Sequence, residues 1–265
     1  MTARRSVADP PVARWSVADP EVAAVLDWWS DNARWLPWRA SRDVYAVWVA
    51  EVMSAQTTVT RSAVAWERWM ERWPTVQTLA AASLAEVLGQ WDGLGYPRRA
   101  RDLHRAAAIV AASGWPQDLT ELPGVGAYVA AAIRCFALEE PVLPLDVNVR
   151  RVLERRFPGG VDIAQDPWRA GQALMEFGQR ICSGRPRCSL CPVRSGCAGP
   201  GDPAARPARR QPPFAGSLRQ RRGRLLREVL RAGAVAAGEA DPEAAASLAA
   251  DGLIVVARGR LLPPG

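Results

Sequence analysis

At 265 residues, 49% of them hydrophobic, the chain is long enough for one large or two modest domains with a real apolar core. Its formal charge of +7 suggests a polyanionic partner. Every basic residue is Arg, so Schiff-base chemistry through a side-chain amine is excluded.

Residues 1–20 carry Ser-Val-Ala-Asp-Pro twice, with prolines and no helical period, and read as a largely disordered lead. Asp19-Pro20 supplies an N-cap and a first-turn proline for a helix over Glu21 to Trp29. Leu36-Pro37-Trp38-Arg39 breaks that helix. Apolar positions recur at three- and four-residue intervals from Tyr45 to Trp73, which predicts two helices divided near Thr57-Thr58. A further helix is expected from Leu79 to Trp91, ending at the loop Gly93-Leu94-Gly95-Tyr96-Pro97. Arg98 to Ala112 resumes the helical period and bears the only His, His104. Without sustained alternation of β-branched residues, 21–198 is predicted to be all-α.

Residues 199–216 read as a linker rich in Gly, Pro, Ala and Arg. Ser217 to Ala232 and Pro242 to Asp251 are helix candidates, and 253–257 can pair with 260–262 across Arg258-Gly259. Together these predict a small winged-helix-like domain over 217–265. Nine Arg face two acids, Asp202 and Glu228, between 200 and 231; a solvated basic linker and a DNA-contacting arm both fit.

Chemistry concentrates between Leu122 and Asn148. Leu122-Pro123-Gly124-Val125-Gly126 is a tight apolar turn placed directly before an Ala-rich helix, Ala127 to Leu138. Outward N–H groups and the positive end of the helix dipole make Gly124, Val125 and Gly126 a grip for one phosphate. Asp146-Val147-Asn148 then opens a helix carrying Arg150, Arg151, Arg155 and Arg156. Asp146 is either an ordinary N-cap or a functional carboxylate, and the helix N-terminus favours its charged form. Glu51 is the opposite case: it lies inside an almost wholly apolar helix, where burial raises the carboxyl pKa and suits a general acid. Two carboxylates with opposed environments are the arrangement that breaks glycosidic bonds.

The cysteines read Cys182-x5-Cys188-x2-Cys191-x5-Cys197. Four thiolates this close can wrap one small metal centre, and the lack of wide separation between pairs favours an iron–sulfur cluster over zinc. Metal ligands rather than disulfides fit a reducing compartment. Together with the lack of a membrane-spanning run or a secretory leader, this gives an expected cytoplasmic location. Cys135, in an Ala-rich helix, reads as core.

The glycine turn followed by Asp146, the run Glu51-Val52-Met53-Ser54-Ala55-Gln56-Thr57, the loop Gly93 to Tyr96 and the cysteine cluster together resemble the helix-hairpin-helix DNA glycosylases, specifically the MutY adenine DNA glycosylases. The resemblance covers 21–198. It implies a two-lobed helical fold, with a six-helix module inserted in a cluster-bearing module, and flipping of a base into the cleft. It further implies a [4Fe–4S] cluster on Cys182, Cys188, Cys191 and Cys197, and double-stranded DNA with a mispair as partner of a monomer.

By position, Glu51 resembles the family's general acid, which protonates adenine at N7, and Asp146 the carboxylate that stabilises the sugar cation. Asn148 resembles its polar support. Tyr128 holds the place of Ser or Tyr in adenine glycosylases and of a nucleophilic Lys in endonuclease III relatives, so a Lys-dependent lyase reaction is excluded. Gln56 and Tyr96 match residues that wedge into the DNA stack, and Arg151 is a candidate phosphate contact. Three departures stand out: the first cysteine gap is one residue short, Ser54-Ala55 replaces Leu-Gln, and 217–265 lacks the signature of a Nudix-like domain. The expected activity is hydrolysis of the N-glycosidic bond of adenine mispaired with 8-oxoguanine or guanine. The alternatives are a mismatch thymine or deaminated-pyrimidine glycosylase and a non-catalytic iron–sulfur DNA-binding protein.

Overall fold

A computed structural model describes residues 20–197 and 213–265. The expected lead, the Asp19 cap and the linker up to residue 212 lie outside the described residues. The chain divides into two compact units, Met1–Trp35 with Ala131–Arg206, and Leu36–Ala130 with Pro207–Gly265. The segment 36–130 is thus an insertion in the first unit, as the all-α reading with an inserted helical module expects.

The inserted segment holds helices α2 (Val44–Ser54), α3 (Val59–Arg72), α4 (Val76–Ala80), α5 (Leu84–Gln90) and α6 (Arg98–Ser113). Asp43 caps α2, its carboxylate accepting from Ala46 N at 2.8 Å. Of the α2 residues, Tyr45 to Met53 are all buried, because α3, α6 and the 3-10 turn Pro37–Ala40 pack around it. A helix apolar on every side belongs in a core. The two-helix reading of 45–73 holds, but 79–91 is not one helix. Ser83 starts α5 afresh with a capping box, its hydroxyl accepting from Glu86 N at 3.3 Å while the Glu86 carboxylate accepts from Ser83 N at 3.0 Å. That reciprocal pair outcompetes helical continuity through Ala80–Ala82. His104 Nε2 donates to Ala82 O at 2.9 Å, a structural contact in this turn.

The first unit contains α1 (Pro20–Asn32), α8 (Val147–Arg156) and α9 (Pro167–Arg180). The unit boundary falls inside α7 (Ala127–Phe136), after Ala130. At Gly178 an added Cβ would stand 2.6 Å from Asn148 O, so only glycine lets α9 approach α8 this closely. Glu176 is the polar centre of this unit and escaped the sequence reading. It is 1% exposed and accepts from Trp29 Nε1 at 3.2 Å, Arg34 N at 3.1 Å, Arg34 Nε at 2.7 Å and Arg180 Nη1 at 3.2 Å. Replacing it with Leu orphans buried donors and two cations, and urea unfolding is expected to show a loss of about 3–5 kcal/mol.

The C-terminal segment forms α10 (Leu218–Ala232), β1 (Val235–Ala236), α11 (Pro242–Ala250), β2 (Val255–Ala257) and β3 (Arg260–Leu262). The expected hairpin is present and is joined by β1, too short to register as a sequence pattern; the antiparallel order is β1-β3-β2. Arg221 ties α10 to α11 through Asp241 at 2.7 Å and Glu243 at 2.5 Å, and Arg222 does so through Asp251 at 2.5 Å and through Ser247. The segment docks on the inserted helices. Leu84 N donates to Gly265 O at 3.2 Å, Arg98 faces Asp251 at 3.5 Å, and Arg101 donates to Asp251 O.

Candidate active site and cysteine centre

Glu51 is 9% exposed on α2, and its Oε2 accepts from the Tyr128 hydroxyl at 2.9 Å. Tyr128 comes from the first turn of α7, so two residues that the resemblance assigns to the site meet. A carboxyl on a rigid, fully packed helix with a fixed phenol partner has a single well-defined orientation, which proton delivery requires.

α2 ends at Ser54, three residues beyond Glu51, and the turn that follows is strained. Gln56 has φ 59° and Tyr96 φ 49°, left-handed conformations that side chains other than glycine rarely adopt, and both are exposed. Each costs about 1–3 kcal/mol and persists only where its surroundings over-determine it. Arg99 supplies that constraint. Its guanidinium donates to Val52 O at 2.6 Å and Ala55 O at 2.5 Å on one side, and to Leu94 O at 3.1 Å and Gly95 O at 3.2 Å on the other. It also lies 5.2 Å from the Trp91 ring centroid and 5.5 Å from that of Tyr96. One cation therefore binds the α2 C-terminus and the 93–96 loop together. Sequence reasoning missed Arg99 because Arg98, Arg99 and Arg101 look alike until the fold separates their directions.

In the glycine turn, Val125 is 5% exposed and its N donates to Leu122 O at 3.1 Å, pinning the turn to the core. Gly124 has φ 77°, and an added Cβ would approach Asp102 Cβ to 3.0 Å, so glycine is required twice over. Gly126 and Ala127 are exposed at the start of α7, where first-turn N–H groups lack intrahelical acceptors. A single 3-10 turn, Leu119–Glu121, precedes the glycine turn.

In the first unit, Asp146 caps α8. Its Oδ1 accepts from Asn148 N at 2.8 Å and Val149 N at 2.7 Å, and its Oδ2 from Asn148 Nδ2 at 2.6 Å. The cap and the functional reading therefore concern one fixed carboxylate, half-buried beside Val147, which is 70% exposed. Asn148 is held in turn by Arg151, whose Nη1 donates to its Oδ1 at 3.3 Å. The same nitrogen donates to Gly178 O at 3.1 Å and Cys182 O at 3.0 Å. Arg151, expected to face phosphate, has its guanidinium engaged inside the unit, because the carbonyls at the α9 end lie within its reach.

The four cysteines line one small cavity together with Arg155, Ile181 and Pro186. Burial pushes the Cys191 thiol up, and charge at Cys182, Cys197 and Cys188 adds to this, as expected of sulfurs gathered in one place. Arg155, 4% exposed, donates from Nη1 to Ser183 O at 3.0 Å and lies 3.7 Å from Cys182 Sγ; its buried Nε has no partner among the described residues. A cation with a spare donor suits an anionic sulfur-bound centre. Among the described residues no three His, Cys, Asp or Glu are set to hold a single metal ion. Four thiols around one small cavity, with a buried cation beside them, are a donor set able to hold a small metal centre. Cys135 is core, its Sγ 3.1 Å from Pro167 O.

Residues 49–166 match the family described as HhH-GPD superfamily base excision DNA repair protein. The chain is 41% identical over 233 residues to the adenine DNA glycosylase of Mycolicibacterium smegmatis, across 78% of this chain and 79% of that protein. The chain belongs to the HhH-GPD superfamily of base excision DNA repair proteins. The adenine DNA glycosylase of Mycobacterium tuberculosis is 40% identical over 237 residues, covering 78% of this chain and 77% of that one. The Homo sapiens adenine DNA glycosylase is 40% identical over 208 residues, covering 66% of this chain and 38% of its own. A thermostable thymine-DNA glycosylase has a similar structure, with 25% identity and a TM-score of 0.59 over 67% of this chain and 93% of that one. A non-covalent endonuclease III–DNA complex shares the fold, with 21% identity and a TM-score of 0.57 over 66% of this chain and 91% of that one. As an HhH-GPD protein, the chain is a DNA glycosylase, a hydrolase that acts on DNA.

Proposed function

We propose that this chain hydrolyses the N-glycosidic bond of adenine mispaired with 8-oxoguanine or guanine. The observation that carries the reading is the Glu51–Tyr128 pair, a carboxyl 9% exposed on a packed helix and held at 2.9 Å by a phenol rather than by a nucleophilic amine. In this reading Glu51 gives its proton to adenine N7, the C1′–N9 bond breaks with its electron pair leaving on the base, and Asp146 offsets the positive charge on the sugar. Water adds at C1′ and its proton returns to Glu51. Because the chain holds no Lys, no side chain can form a Schiff base with the sugar, and the reaction stops at an abasic site.

The four cysteines are proposed to bind a [4Fe–4S] cluster, which would contribute fold and charge to the 182–197 loop. That loop carries Arg185, Arg187 and Arg194, all exposed and able to meet phosphate. Replacing Cys191 with Ser is expected to lower bound iron and sulfide well below that of the parent and to remove the visible charge-transfer absorption. The protein is proposed to act as a cytoplasmic monomer, since cysteines used as metal ligands rather than disulfides fit a reducing compartment.

Similarity to a thymine-DNA glycosylase structure supports one rival, removal of thymine or a deaminated pyrimidine. Single-turnover assays on A·8-oxoguanine, A·G, T·G and U·G duplexes separate the readings. Adenine from either of the first two is expected; release of pyrimidine alone would replace the proposal with its rival.

A further inference from the structure

α10 carries its arginines on two faces with different fates. Arg221 and Arg222 are committed to the acids and hydroxyl of α11 and its end. Arg224, Arg227 and Arg231 stand at i, i+3 and i+7, all exposed, and with Glu228 they line an open basin of about 670 Å³. Glu228 is the one acid in the basin, so three positive charges face one negative. Arg227 Nη1 lies 3.8 Å from Asp92 Oδ1, with both side chains more than half exposed, a screened pair that contributes little and yields readily to a stronger anion. Asp92 Oδ1 also accepts from Gly93 N at 2.9 Å, so the stripe adjoins the base of the loop that presents Tyr96. Arg61, exposed, donates to Gly93 O of the same loop at 3.3 Å.

We infer that the Arg224–Arg227–Arg231 stripe is a second DNA contact, gripping backbone phosphates of the duplex that flanks the Tyr96 loop. The inference rests on the reading of the chain as a DNA glycosylase and adds a surface that the glycosylase module does not contain. Seven residues of helix span roughly 10 Å, and phosphates of one strand recur about every 3.4 Å along the axis, so the stripe reaches a few successive phosphates. Arginine forks suit phosphate oxygens in the same way. Such contacts carry no sequence information; they extend the footprint and fix its register.

The test uses the full chain with Arg224, Arg227 and Arg231 all changed to Ala, and a control of equal charge loss in which Arg68, Arg72 and Arg105 are changed to Ala. Affinity for an undamaged 30-base-pair duplex is followed by fluorescence anisotropy over a range of potassium chloride, with circular dichroism confirming the fold of each. For the stripe variant, the slope of log affinity against log salt is expected to fall by about 2–3 relative to the parent, since each phosphate contact contributes about 0.9. Affinity at low salt is expected to drop at least tenfold, while base release at saturating DNA stays unchanged. An unaltered slope, or an equal loss in the control, overturns the inference and leaves the basin to an acidic protein partner or to solvent. Failure of the parent itself to bind duplex would instead remove the glycosylase reading.

Discussion

Changing Glu51 to Gln is expected to reduce single-turnover base release by about 10²–10⁴-fold while duplex affinity stays within a few-fold of the parent. Gln preserves the length and shape of the side chain and can still meet the Tyr128 hydroxyl, so packing on α2 is retained. What it lacks is a proton to give. Without that proton the adenine leaves as an anion, the barrier rises, and binding, which depends on phosphate contacts elsewhere, is unaffected. Tyr128→Phe isolates the support from the acid. It removes one hydrogen bond worth about 1 kcal/mol, so a loss of roughly 5–10-fold is expected, with Glu51 still present. Equal turnover for Glu51→Gln and parent would mean that the acid is another group.

The second large effect is expected at Arg99, a positioning residue. Its removal as Arg99→Ala leaves the carbonyls of Val52, Ala55, Leu94 and Gly95 without their shared donor, beside two residues at positive φ. A loss of about 3–5 kcal/mol follows, which for a chain of this size lowers the melting temperature by on the order of 10 °C. Arg99→Lys is not expected to restore it, because one ammonium cannot span acceptors on two segments as a planar fork does. At a temperature where the variant remains folded, base release is expected to fall while binding of an abasic duplex, which needs less distortion, falls less. A variant that melts like the parent would show that the strained turns hold themselves.

The chemistry-bearing parts of this chain were legible because each leaves a local mark. A carboxylate in an apolar helix, two glycines before an Ala-rich run, an Asp at a helix start and four close cysteines are all short-range patterns, and Glu51, Gly124, Asp146 and the cysteine centre sit in the local settings these patterns describe. Roles read through long-range contacts were not legible. Arg99, Arg155 and Glu176 are ordinary helix residues in sequence, and only tertiary packing turns them towards buried carbonyls, thiols or donors. Arg151 shows the converse. It was a candidate phosphate contact, yet carbonyls at the end of α9 and the start of the cysteine loop engage its guanidinium. The break at Ser83 was hidden by helix-favouring alanines, since a capping box competes with propensity only when both partners close. β1, at two residues, lies below any periodic signal.

The mechanism requires base loss by water alone, driven by one proton donor. A single-turnover reaction on a duplex holding one adenine opposite 8-oxoguanine tests this most directly, with the freed base identified by chromatography and the strand examined before and after alkali. The expected result is one free adenine per active protein and a strand that stays whole until alkali cleaves it at the abasic site. A duplex that is bound but keeps its adenine, or a strand cut without alkali, would contradict the account.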